Sequence, residues 1–82
     1  MTVGMKVIDR HFDNNKVYFT VLLRNTADRG ARVRLYAFGY DTNNRLLNTG
    51  DLPLYIQPRE QMVQKYAFNR GSGMTRWMLA LR

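Results

Sequence analysis

The stretch "RVRLYAFGY", Arg32 to Tyr40, decides the fold. Read as an extended strand, its side chains alternate between two faces. Val33, Leu35, Ala37 and Gly39 fall on one side; Arg32, Arg34, Tyr36, Phe38 and Tyr40 fall on the other. A half-exposed strand keeps one face polar, yet here both faces are apolar or aromatic. Something has to cover the second one.

The same two-residue period runs outward from this segment in both directions. In "KVYFTVLLRN", Lys16 to Asn25, the set Val17, Phe19, Val21 and Leu23 makes an inner face, with Tyr18, Thr20, Leu22 and Arg24 opposite. Near the end, Trp77, Leu79 and Leu81 share one face and Met74, Arg76, Met78 and Ala80 the other. Trp77 reads as a core anchor, since so large a ring is more often buried than displayed. Polar clusters recur at roughly 8 to 12 residues, the spacing of a sandwich or barrel. The pattern predicts strands at Val3 to Arg10, Lys16 to Asn25, Ala31 to Tyr40, Arg45 to Asn48, Pro53 to Ile56, Met62 to Phe68 and Thr75 to Leu81. "PREQMVQKYAF", Pro58 to Phe68, fits two periods: Met62, Val63, Tyr66 and Ala67 at helical spacing, or Met62, Gln64, Tyr66 and Phe68 as a strand, which the all-β context favours.

The expected fold is an all-β, immunoglobulin-like antiparallel sandwich of about seven strands, filling residues 1–82 as a single domain. Without cysteine there is no disulfide to support so small a core, and the redox compartment stays open. The start, "MTVGMKVIDR", lacks the basic end and apolar run of a signal peptide, and no stretch approaches the roughly 18 apolar residues of a span, so no membrane span is expected.

Turn signals add a resemblance. "LRNT", Leu23 to Thr26, "YDTNNRLLNT", Tyr40 to Thr49, and "QPRE", Gln57 to Glu60, are similar in kind and order to the turns of FxLYD-type immunoglobulin-like domains of bacterial envelope and secreted proteins. Asn44 and Arg59 stand where that family usually has glycine. The resemblance implies a non-catalytic accessory or interaction module in the cell envelope or outside the cell.

The residues themselves offer little chemistry. His11 is the single histidine, and with Asp9 and Asp13 it makes at most a weak zinc candidate. Asp41, Asn43 and Asn44 lack the glycine and closing glutamate of a calcium loop. "NRGSGMTR", Asn69 to Arg76, has no phosphate-loop lysine pattern and reads as a hairpin loop in which Arg70 and Arg76 are open to binding. No enzymatic activity, metal or cofactor is expected.

The net charge is +7, with ten arginines among thirteen basic residues and no run of consecutive basic residues. Such a balance suits an acidic partner. Each ring of the Tyr36, Phe38, Tyr40 row buries about 150 to 250 Å² when covered. At about 25 cal/mol per Å², leaving all three wet forgoes a large share of a small domain's stability. Three covers are open. Arg34 and Arg24, with Tyr18 and Leu22 on an adjoining strand, can pack across the row; a protein partner or a second copy can; or single-stranded nucleic acid can stack on it. The reading adopted is protein recognition or assembly through Tyr18, Arg24, Arg32, Arg34, Tyr36, Phe38 and Tyr40, with nucleic-acid binding on the same face as the alternative.

Overall fold

Alternation of buried and exposed side chains carries through almost every strand. The computed structural model describes residues 2–13 and 15–82. They form six strands: β1 Val3–Phe12, β2 Lys16–Asn25, β3 Ala31–Tyr40, β4 Leu46–Ile56, β5 Gln61–Asn69 and β6 Arg76–Leu81. All pairings are antiparallel, in two three-stranded sheets of order β1-β2-β5 and β4-β3-β6. No helix among the described residues is long and apolar enough to cross a membrane. The sheets face each other as a β-sandwich. Val21 and Leu23 of β2 meet Val33 and Leu35 of β3 and Ile56 of β4 in one core cluster; Val17, Phe19, Ala37, Phe68 and Met74 form a second.

The strand count is six, where about seven were expected. The expected segments Arg45 to Asn48 and Pro53 to Ile56 merge into one strand that starts at Leu46, because the intervening Gly50 and Asp51 continue the ladder opposite Ala37 and Tyr36. Gly50 faces inward, where a Cβ would collide with the Tyr66 hydroxyl and lie 3.2 Å from the Phe68 ring. A small residue lets the strand run on beneath β5. Pro53 also fits. Its partner Arg34 exchanges both backbone hydrogen bonds with Arg82 on the other side, so the proline faces a non-hydrogen-bonded pair at a sheet edge.

Pro58 to Phe68 is settled as turn followed by strand. The Glu60 amide donates to the Gln57 carbonyl at 3.1 Å, and Arg59 has φ = 61°. Proline then a positive-φ residue is the signature of a type II turn, and it stops any helix before it starts. A non-glycine residue there costs about 1 kcal/mol. Its ion pair to Asp28, at 3.4 Å, is exposed and adds little. Arg59→Gly is therefore expected to raise the urea midpoint, by an amount equivalent to about 0.5 kcal/mol once the glycine's added unfolded-state entropy is subtracted.

Asn44 likewise sits at φ = 63°, following a turn closed from the Asn44 amide to the Asp41 carbonyl at 3.1 Å. Asparagine tolerates this region better than other side chains. Met74 departs from the strand reading. It lies ahead of β6 and tucks into the core against Gly39, 3% exposed. In β1 the ladder slips between Val7 and Asp9, leaving Ile8 as a bulge. Val3, Met5 and Val7 face inward before it, and Arg10 and Phe12 after it.

Candidate functional site

The seven residues proposed from the sequence do not form one surface. β2 and β3 are the central strands of opposite sheets, so their outer faces point away from each other. Tyr18 and Arg24 lie outside the β1-β2-β5 sheet, with Leu22; Arg32, Arg34, Tyr36, Phe38 and Tyr40 lie outside the β4-β3-β6 sheet. Cover of the aromatic row by Arg24, Tyr18 and Leu22, one of the three options open from the sequence, is thus excluded by the sandwich itself. Sequence neighbours joined by a hairpin would share a sheet, but the Thr26 to Gly30 connection crosses between sheets instead.

The residues that do flank the row come from β4 and β6. Tyr36 pairs with Asp51 and Ala80, Phe38 with Thr49 and Met78, and Tyr40 with Leu46 and Arg76. Arg32 pairs with Tyr55. Directly opposed residues of an antiparallel pair share a face. The outer face is therefore a strip of four rings, Tyr36, Phe38, Tyr40 and Tyr55, extended by the aliphatic Met78 and Leu46. Tyr36 and Phe38 stack at 6.3 Å and 15°, and the Arg76 guanidinium stands 4.8 Å above the Tyr40 ring. These contacts leave the three β3 rings half-buried. Tyr55, Leu46 and Met78 stay 54%, 52% and 50% exposed, so the uncovered apolar surface lies on the flanks of the row.

Charge on this face is predominantly positive. Among the described residues, Arg32, Arg34, Arg76 and Arg82 meet a single acid there, Asp51, which is ion-paired to Arg34 and holds that guanidinium protonated beyond its ordinary range through the hydrogen bond and then the charge. At the lower end, Arg32, Arg34, Tyr36, Pro53, Tyr55 and Arg82 line an open depression of about 620 Å³. Alternation in the last strand already placed Arg76 and Met78 together; what the sequence lacked was the pairing of that strand with β3.

On the opposite sheet, Tyr18 is occupied structurally. Its hydroxyl donates to the Asp13 carboxylate at 3.1 Å, and its ring stacks on His11 at 4.8 Å. Asp13 also accepts from the Asn15 and Lys16 amides at 2.9 and 2.8 Å. Those backbone bonds hold its carboxyl below the ordinary 3.8, and the Asp13 bond raises the Tyr18 phenol. A depressed carboxyl stabilises the fold above its unfolded value and loses that contribution as pH falls through the folded one. An NMR titration of the Asp13 carboxyl is expected to give a midpoint below 3.8, with faster exchange of the Lys16 amide setting in only beneath that pH. With Asp13 so engaged, the Asp9, His11, Asp13 set does not assemble, and no group of three or more metal-ligating side chains occurs among the described residues.

No protein-family model matches the chain, and no curated protein matches it. Among solved structures, a DUF1425 family member from Shewanella sp. pv-4 superposes with a TM-score of 0.74 at 13% identity, over 98% of this chain and 76% of that one. The two share a β-rich fold. At so low an identity the likeness is one of backbone, and the aromatic face is argued from this chain's own residues.

Proposed function

We propose that this protein is a non-catalytic interaction module whose contact surface is the outer face of β4-β3-β6. The observation that carries the reading is the flanking of a half-buried aromatic row by half-exposed Met78, Leu46 and Tyr55 beside four arginines. Aromatic residues, methionine and arginine are the types enriched at interface centres. The FxLYD-type turns support the same kind of module, immunoglobulin-like and without an active site. Tyr18 and Arg24 drop out of the contact set, leaving Arg32, Arg34, Tyr36, Phe38 and Tyr40, joined by Tyr55, Met78 and Arg76.

The alternative is single-stranded nucleic acid on the same face, favoured by the Arg76 and Tyr40 pairing and by the excess of arginine over acid there. One experiment addresses both. A photo-crosslinking side chain placed at Met78, and in a matched control at Val63 on the opposite sheet, is expected to yield protein adducts in cells from position 78 alone; the two sites are about equally exposed. Equal yields at both positions would sink the interaction reading. Adducts to nucleic acid, with oligonucleotide binding that falls steeply as salt rises, would transfer the face to the alternative.

A further inference from the structure

The sandwich has four edges, and three of them carry a device that discourages strand addition. β1 has the Ile8 bulge and the charges of Lys6, Asp9 and Arg10; β4 has Pro53; β5 carries Gln61, Gln64 and Lys65. Bulges, proline and edge charge are the common means of blunting an edge. β6 has neither bulge nor proline, and its charge is confined to Arg76 at its start. Between Arg76 and Arg82 it reads Trp77-Met78-Leu79-Ala80-Leu81, without charge, proline or irregularity in its pairing with β3.

Its backbone is poised for a partner. Arg34 and Arg82 exchange hydrogen bonds in both directions. By the alternation of an antiparallel ladder, the N–H and C=O groups of Trp77, Leu79 and Leu81 then point away from β3 toward the open edge. A seven-strand sandwich of this connectivity carries its last strand beside the sixth. Among the described residues that place holds no strand.

The groove beside it is unfinished in the same sense. Between the inner faces of β1 and β6, Val7, Ile8, Arg10, Phe19, Trp77 and Leu79 line a cleft of about 480 Å³. Val7, Ile8 and Phe12 remain 44%, 49% and 44% exposed although Val7 and Phe12 face inward. The Trp77 indole N–H is buried without a hydrogen-bond partner among the described residues. A buried donor left unpaired is costly, and an added chain with its own carbonyls offers a remedy.

Charge selects the occupant. The Arg10 and Arg70 guanidinium groups both lie 5.6 Å from the Phe12 ring centre, and Arg70 also lies 5.9 Å from that of Trp77. The acid in the lining, Asp9, falls on the outer side of the bulge, 3.8 Å from His11. A second copy paired through β6 would bring the terminal arginines of two strongly basic chains together. We propose that the β6 edge and the adjoining cleft take up an extended segment of a partner protein, apolar in its middle and acidic toward its ends, added to the sheet as a further strand. Its cleft-facing side chains, every second residue, would set apolar groups against Val7 and Leu79 and an acid beside Arg10 and Arg70 at the Phe12 end.

Trp77 is the single tryptophan, so its emission reports on this site alone. The probe is a capped heptapeptide, Glu-Glu-Val-Val-Val-Glu-Glu, which as a strand presents valine flanked by glutamate on either face, compared with its lysine-for-glutamate analogue and with a version N-methylated at alternate amides. The glutamate peptide is expected to change Trp77 emission saturably and to slow hydrogen exchange at Trp77, Leu79 and Leu81 tenfold or more. The lysine and N-methylated peptides, and the Arg10→Glu protein with the glutamate peptide, are each expected to bind at least tenfold more weakly. Phe38→Asp, on the far side of the same sheet, leaves this binding unchanged, which separates it from the interface proposed above. Equal binding by the lysine peptide, or no effect on the three amides up to millimolar peptide, would overturn the proposal. So would exchange at those amides that is already slow in the free protein and slows further with protein concentration, which assigns the edge to a second copy.

Discussion

Asn25→Ala is expected to destabilise the fold by about 3 kcal/mol, more than its small side chain suggests. Asn25 is 1% exposed at the end of β2. Its Nδ2 group lies 2.9 Å from the Arg29 carbonyl, 3.2 Å from that of Ile56 and 3.1 Å from that of Gln57, its two N–H donors shared among the three, while its Oδ1 accepts from the Ala27 amide at 3.0 Å. One amide therefore ties the β2–β3 crossing to the end of β4. These are two of the three places where the chain passes from one sheet to the other. Alanine leaves the carbonyls and the Ala27 amide without that partner, and each buried group so stranded costs about 1 to 3 kcal/mol. In a domain this small, each kcal/mol shifts the melting temperature by about 4 to 8 °C, so a fall of roughly 12 to 24 °C is expected by calorimetry. Asn25→Asp adds a direction. It removes the donor and buries a charge, so that variant should regain part of its lost stability on acidification, as the carboxyl becomes able to donate. A melting temperature within a few degrees of the parent for Asn25→Ala would show that the crossing holds without its latch.

Phe38→Asp is expected to cut partner adducts at position 78 by about 30-fold or more, the loss typical of a central interface residue. Phe38 stands mid-face, between Thr49 and Met78 on the flanking strands and stacked on Tyr36. An aspartate there puts charge into the centre of the apolar strip and removes the ring on which Tyr36 rests. The ring is half-buried and faces outward, so the cost to folding is about 1 to 2 kcal/mol, which a thermal melt measures separately. Val63→Asp is the matched control, an exposed β5 residue on the opposite sheet. It should leave the adducts intact. Equal losses from both variants would mean that the effect arises from stability or charge at large, not from this face.

Much of this surface was legible in the residues. The two-residue period sorted Tyr36, Phe38 and Tyr40 from Leu35 and Ala37, and Asn44 was recognisable as the left-handed turn position. The grouping was where the reading failed. Tyr18 and Arg24 were placed beside the β3 row because consecutive strands usually neighbour each other. Here the chain changes sheets after Asn25, and a five-residue loop of turn formers looks much the same whether it folds back or crosses over. Gly50 misled in a similar way: glycine and aspartate signal a break, and only the Tyr66 and Phe68 side chains above Gly50 show why a strand needs that gap. Nor was the β1 bulge readable, since the slip at Ile8 is defined by the register of β2.

What the amino-acid order determined by itself is local: which segments extend, which side of each is apolar, and where the backbone must turn through positive φ. These follow from sterics and pleat geometry within a few bonds. The tertiary structure alone decided which strands lie side by side, which outward side chains form a common face, and which edge stays open. Those outcomes rest on contacts between residues far apart along the chain, such as Asn25 with Ile56 and Phe38 with Met78. No short-range pattern encodes them, because the same alternating strand packs equally well in either sheet until the rest of the core selects one.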